Sequence, residues 1–505
     1  MPGQMEFVQM EFVQNFPCFS IMLCMFAGII SSAFKEKIAR LLNIIALVVN
    51  IVLSAAVLLY TVRTGESYIY VMGRFPAPWG NEIRVGILEA LMAVFFSLIM
   101  ILSILGGGKY ILSDIIETKQ NLFYVLINLM MSSLLALIYT NDLFTAYVFI
   151  EINTIAAGGL ILIRDTGHTL VAATKYMIMS LIGSGLILIG LSMLYGITGH
   201  LLMSNIHESV IQINANGQYT IPLTVIIVFI CVGLAIKSAL FPFHSWLPDA
   251  YSYGTAASSA ILSSLVSKSY IFLLIKIFYR VIGLDIIMHY HVENILFIFA
   301  ILGMILGSVS AIHQMDIRRM IAFSSVAQIG YIYMGIGLDT EAGILAALFH
   351  VISHAASKSL LFISARGLSE VSGNSKLFPD LKGAGYRNII AGIGFSTGAL
   401  SMIGIPLFAG FTSKVYFALA TLESSPFKLW TAMIALAIST VLNAVYFLHT
   451  VLTIYTPVNK EGGVGFRAKR QFTLAILLFV LLNLFLGIGS NLVWQTIQMG
   501  TDMFI

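Results

Sequence analysis

Apolar runs long enough to cross a bilayer recur almost from one end of this 505-residue chain to the other. That feature leaves few folds open. In lipid every backbone N–H and C=O must find a partner inside the protein, so a spanning element is a helix or a strand of a closed barrel. A run of about twenty apolar residues fits a helix, whereas a barrel strand needs only about ten. Composition agrees, with 59% hydrophobic and only 10% charged residues, and excludes an ordinary soluble globule. The chain reads as an all-α polytopic membrane protein of about fourteen transmembrane helices.

The basic residues test that topology. With the first span starting outside, loops 35–37 (counted with Arg40), 107–119, 164–168, 313–319, 366–387 and 460–470 carry sixteen of the 27 Lys and Arg. The opposite side carries five: Arg63, Arg74, Arg84, Arg280 and Lys428. This asymmetry is the positive-inside pattern and predicts a multi-pass protein of the cell membrane with both termini outside. Loop 63–85 alternates apolar and aromatic residues and predicts a small external hairpin or cover. The acidic N-terminus (Glu6, Glu11) lacks the basic start of a cleavable signal. A doubled MEFVQ within 5–14 carries no functional reading. Cys18, Cys24 and Cys231 have no ligand spacing, so neither a metal site nor an iron–sulfur or other cofactor is expected in this chain. No soluble stretch is large enough for a nucleotide or redox centre, and nothing suggests a nucleic-acid partner.

Two interruptions divide the chain. Helix seven breaks around Pro242 after Lys237, and helix twelve breaks around Pro406 before Lys414. Paired interruptions of this kind point to repeats with a site near mid-membrane. The predicted organisation is an N-terminal three-helix segment (1–119) with the external loop 63–85, a first five-helix repeat (120–280, spans four to eight), a second, inverted one (293–450, spans nine to thirteen) and a C-terminal helix (451–505).

Six lysines fall inside spans: Lys175, Lys237, Lys268, Lys276, Lys358 and Lys414. Each costs several kcal/mol at the bilayer centre and is by default a functional candidate. The clear intramembrane carboxylate is Glu151; Glu89, near the start of span three, reads as interfacial. Glu151 needs a partner, and Lys237 is the expected one. Such a pair is either a static tie between helices or a switch whose opening releases a proton. A static tie is the poorer account, because buried pairs stabilise less well than apolar packing. In span eleven His350, His354 and Lys358 stand at i, i+4 and i+8. They drift by only about 80° and climb about 12 Å along one face. Imidazole both donates and accepts, which suits a proton relay. A metal pair would want a carboxylate or thiolate nearby, and none is near in sequence. Lys268 sits mid-span among Ser263, Ser264, Ser267 and Ser269. Secondary candidates are Lys276, which either snorkels or functions, Lys175, which either snorkels or supports Glu151, and His244, which either lines an entrance or caps the turn.

Five ordered stretches then carry a resemblance. KYMIMSLIGSGLILIGLSMLYG, FPFHSWLPDAY, DIRRMIAFSSVAQIGY, FHVISHAASKSLLF and IPLFAGFTSKVYF together resemble the antiporter-like subunits of respiratory complex I. That superfamily includes subunits of Mrp-type Na⁺/H⁺ antiporters and of membrane-bound group 4 hydrogenases. YVMGRFPAPWG before span three is most similar to the D-type antiporter subunit and its hydrogenase relatives. The resemblance implies a proton-translocating subunit, with Glu151 and Lys237 as first ion pair, Lys268 as central connector, His350, His354 and Lys358 as central relay and Lys414 as terminal lysine. Tyr251 and the pair Gly254-Thr255 depart from the family pattern, which has His and then Ala-Pro after Asp249.

The expected function is movement of H⁺ through half-channels joined by a mid-membrane Glu/Lys/His chain, as in an Mrp-type antiporter exchanging Na⁺ for H⁺. The alternative is the same module as the ion-pumping arm of a redox-driven hydrogenase or dehydrogenase, with iron–sulfur clusters in soluble partner subunits. In either assembly the partners are other membrane subunits. A stand-alone secondary transporter is a third reading, disfavoured because the lysines are strung out rather than gathered round one cavity.

Overall fold

The computed structural model describes residues 12–75, 80–217, 219–457 and 469–504. Most of the doubled MEFVQ and most of loop 460–470 lie outside them. The long helices are α1 (Phe16–Ser32), α2 (Glu36–Thr64), α3 (Ile87–Asp114), α4 (Gln120–Tyr139), α5 (Leu143–Leu162), α6 (Gly167–Thr198), α7 (Thr220–Ser238), α8 (Ala256–Ile282), α9 (Val292–Ile312), α10 (Ile317–Gly337), α11 (Glu341–Glu370), α12 (Ile389–Ile403), α13 (Ala409–Thr421), α14 (Pro426–Ile454), α15 (Arg470–Ile488) and α16 (Ser490–Asp502). Among the described residues, twelve of these are long and apolar enough to cross a membrane. Two shorter apolar helices, α1 and α12, stand first and twelfth in the expected series.

The helices begin where side chains can take the free N–H groups of a first turn. Asp142 accepts from Thr145 N before α5, Asp316 from Arg318 N and Arg319 N before α10, and Thr340 from Gly343 N before α11. Loop 63–85 contains an antiparallel hairpin pairing Tyr68–Val71 with Glu82–Val85, in register Tyr68 to Val85.

The centre is set by α8 and α11, whose apolar windows are wholly buried, whereas only a third of the α2 window is. α11 packs against α3, α8, α10, α12, α13, α15 and α16. Gly107 lets α3 reach α8, because a Cβ there would stand 2.5 Å from that of Ala257. Three hydroxyls tie these helices together: Ser359 of α11 bonds Ser264 of α8 at 2.8 Å and Ser103 of α3 at 3.2 Å. Large apolar side chains of α2, α6, α9 and α14 point outward, as a lipid-facing shell requires.

Both interruptions are present. α7 ends at Ser238, and Ala239 turns the chain with φ +63° before a short helix, Leu247–Tyr253. α12 ends at Ile403, Gly404 has φ +90° and Leu407 φ +82°, and α13 resumes at Ala409.

Candidate functional site

The first group of candidates gathers at the α7 break. Lys237 occupies the last turn of α7, where unpaired helix carbonyls favour a cation. Trp246 Nε1 returns to bond the Ile236 carbonyl at 3.2 Å, pairing one group that the break frees. Lys237 Nζ is fully buried, donates to Thr154 Oγ1 at 2.6 Å and lies 3.9 Å from Glu151 Oε1. Glu151 keeps a quarter of its side chain exposed. Its Oε1, the atom nearest Lys237, is itself buried. Lys237 also meets α8 through the Tyr270 ring, 5.9 Å from its centroid.

Lys268 comes next, fully buried on α8. Leu262–Val266 winds as a π-turn just before it, and its Nζ folds back to the Ser263 carbonyl. π-turns of this kind recur at functional sites. α8, which carries Lys268, packs against α11.

On α11 the ladder forms as spaced. The rings of His350 and His354 stack with centroids 5.8 Å apart. Lys358 donates to the Ile321 carbonyl at 2.9 Å and to Ser324 Oγ, both on α10. His350 Nδ1 bonds Ser413 Oγ at 2.6 Å, on α13 beside Lys414. Neither ring nitrogen of His354 has a partner among the described residues, and both are buried. Lys414 donates to the Ile403 carbonyl at 2.7 Å, a group left open by the second break, and to Thr440 Oγ1 at 3.0 Å. The Tyr331 ring lies between the two, stacked on His350 and 5.6 Å from Lys414 Nζ.

Of the remaining residues, Lys175, Lys276 and His244 each have two readings in the sequence, and Glu89 and Arg280 need correction. Lys175 does not support Glu151; it pairs with Asp249 at 2.6 Å, and Arg319 joins from the other oxygen at 2.9 Å. Lys276 does not snorkel. It is fully buried and donates to the Ile138 and Thr140 carbonyls at 2.8 and 2.6 Å, the uncapped end of α4. Glu89 is not interfacial and Arg280 is not a loop residue. Both are buried and form an ion pair at 2.6 Å, with the Phe504 ring 3.9 Å from the guanidinium. His244 stacks on Phe241 in the turn, and its Nδ1 is buried without a hydrogen-bond partner among the described residues. Sequence reasoning missed Thr154, Tyr331, Ser413 and Thr440. Thr154 was accessible, being three residues from Glu151 and so on the same helix face; the others are set by contacts between distant helices.

Residues 140–440 match the family model described as NADH:quinone oxidoreductase/Mrp antiporter, TM. The NADH-quinone oxidoreductase subunit N of Desulforudis audaxviator (strain MP104C) is 35% identical over 401 residues, covering 79% of this chain and 78% of that protein. The D-type subunit of the Na(+)/H(+) antiporter of Alkalihalophilus pseudofirmus is 28% identical, covering 77% of each. Two solved structures share the fold over 98% of both chains. One belongs to the archaeal membrane-bound sulfane sulfur reductase (TM-score 0.85, 24% identity), the other to the Mrp complex from Dietzia sp. DQ12-45-1b (TM-score 0.83, 21% identity). The matched segment takes in both helix breaks and every buried lysine and histidine described above, and the chain belongs to the NADH:quinone oxidoreductase/Mrp antiporter transmembrane family.

Proposed function

We propose that this chain is an antiporter-like, proton-translocating subunit of a multi-subunit membrane complex. The observation that carries the reading is the buried series itself: Glu151/Lys237 at one break, Lys268 and the α11 ladder in the wholly buried centre, Lys414 at the other break. Fixed structural charges would be expected in pairs. Here one carboxylate serves the series, and each lysine otherwise rests on neutral oxygens.

The geometry suggests how protons move. Lys237 holds its proton while Glu151 is near; when the pair opens, burial alone acts on the ammonium and drives the proton inward. Thr154 Oγ1 accepts the Lys237 hydrogen bond and can pass a proton on only by releasing its own hydroxyl proton in the same step. α8, which carries Lys268, packs against α11, so a charge arriving on Lys268 or on Lys358 disfavours charge on the other. His350 passes the proton toward Ser413 and Lys414, where the second break opens. The two breaks serve as the mouths of the half-channels, and the two five-helix repeats as their frames.

The relatives' names support two ways of driving this module. The Na(+)/H(+) antiporter relative favours cation/proton exchange, and the NADH-quinone oxidoreductase relative favours a redox-driven arm whose electrons run through soluble partners. Reconstitution of the purified complex tests the common claim: Lys237→Ala with Lys268→Ala should abolish proton flux, and unchanged flux would refute it. Mass identification of the co-purifying proteins then separates the drives. Iron–sulfur and flavin or nickel–iron subunits mean redox coupling; exclusively small hydrophobic subunits mean exchange.

A further inference from the structure

A second charged site lies away from the relay, on the face that carries the excess of basic residues. Asp114, Arg164, Arg318, Arg366, Ser369, Asn374 and Lys376 line a cavity of about 60 Å³. That is room for a small oxyanion, about two waters' share of liquid volume. Four cations face one carboxylate. Asp114 is held by Arg366 at 3.0 Å, and the nearby Asp316 is engaged as the cap of α10. Arg318 is almost wholly buried, and its Nη2 is consumed by the carbonyls of Tyr251, Gly254 and Thr255 and by Ser259 Oγ. Its Nε, and that of Arg164, are buried without a hydrogen-bond partner among the described residues. Unpaired guanidinium donors at this depth are costly, and charge-assisted bonds to an oxyanion satisfy them best.

We infer that this pocket binds a phosphate-class oxyanion, either free or as the head group of an anionic phospholipid. Basic pockets between membrane helices hold such head groups well, and guanidinium forks match phosphate oxygens. The supply of donors is preassembled: Arg164 is fixed by the Tyr253 carbonyl at 3.0 Å, Arg366 by Asn374 at 2.7 Å and Lys376 by the Ser252 carbonyl at 3.0 Å. Those carbonyls belong to the short helix Leu247–Tyr253 and to Gly254 and Thr255, which join the first break to α8. An anion held here therefore fastens the connector between Lys237 and Lys268. Burial and the Arg318 charge pull Lys376 down to about 7, and an anion would restore its charge.

The test uses the full chain in its purified, delipidated complex. Thermal melting is followed against inorganic phosphate and against dihexanoyl phosphatidylglycerol, with chloride and the phosphatidylcholine analogue as controls at matched ionic strength. A saturable rise in Tm with either anion is expected, absent with the controls. Arg366→Gln and Lys376→Gln, each at the rim, should each raise the half-saturating concentration about tenfold, the loss of one charge-assisted bond. A response to phosphate alone assigns a soluble anion; a response to phosphatidylglycerol at lower concentration assigns a lipid. No saturable rise, or one that both variants leave unchanged, overturns the inference, as does a partner protein's carboxylate cross-linked to Lys376. Native mass spectrometry of the unmutated complex needs no variant: selective retention of phosphate or phosphatidylglycerol supports the site, and equal retention of phosphatidylcholine overturns it.

Discussion

The Glu151–Lys237 pair gives the most direct test of the relay. At 3.9 Å and an effective dielectric near 20, two unit charges attract by about 4 kcal/mol. Glu151 is a quarter exposed, so water screens part of this, and about 2 kcal/mol is a fair working value. That is about thirty-fold in the balance between the charged and uncharged lysine. Glu151→Gln keeps the shape and removes the charge, so proton flux in proteoliposomes, read with a pH-sensitive dye, should fall by at least about thirty-fold. Lys237→Gln should fall further. The decisive measurement is the double variant: residues that act as one unit are non-additive, so it should be no slower than Lys237→Gln alone. Wild-type flux in Glu151→Gln, or a double variant whose loss is the product of the two single losses, would refute the switch and leave a static tie.

Three further outcomes follow from the geometry. Glu89→Gln strands Arg280 in a buried site and should cost about 3–5 kcal/mol, seen as a large fall in Tm of the detergent-solubilised protein; a change under about 1 kcal/mol would mean the pair is not isolated from water. Gly404→Ala puts a Cβ at φ +90° and 2.9 Å from Lys414 Cδ, so about 1–2 kcal/mol of strain and a lower Tm are expected; an unchanged Tm would show that the second break relaxes freely. Lys376 is pulled below the ordinary lysine value to about 7, so between about pH 7 and 10.5 the unfolded chain binds more protons and stability rises with pH. Lys376→Met should flatten that rise in melts at pH 7 and 9.5, and an unaltered slope would count against the burial of this amine.

Much of this molecule was legible in the sequence because its solvent is lipid. Apolar runs become helices since nothing else pairs their backbone, and a lysine in such a run stands out whatever surrounds it. The α11 ladder was legible for the same reason: its spacing is local, and helical geometry turns spacing into a shared face. Pairings were less accessible. Glu89 and Arg280 are 191 residues apart, and a charge at the end of an apolar run looks interfacial until its partner is seen. The sequence leaves Lys175 between snorkelling and supporting Glu151, because Asp249, 74 residues away, is not visible there as its partner. The π-turn before Lys268 has no residue signature; its residues pack against α3 and α11, contacts that the sequence does not announce. The second break is expected around Pro406, and the chain is divided there by Gly404 and Leu407.

The α11 ladder would also make the proposed relay answerable to voltage. A charge carried from His350 to Lys358 moves about 12 Å along the helix axis. Where that axis stands near the membrane normal, this is about two fifths of a 30 Å hydrocarbon core. The step then feels about two fifths of the membrane potential, or about 0.9 kcal/mol per elementary charge at 100 mV. Groups at equal depth would exchange protons with no such bias. Under the proposed relay, occupancy of the ladder would shift several-fold with the potential, and passing the ion would itself meter the field.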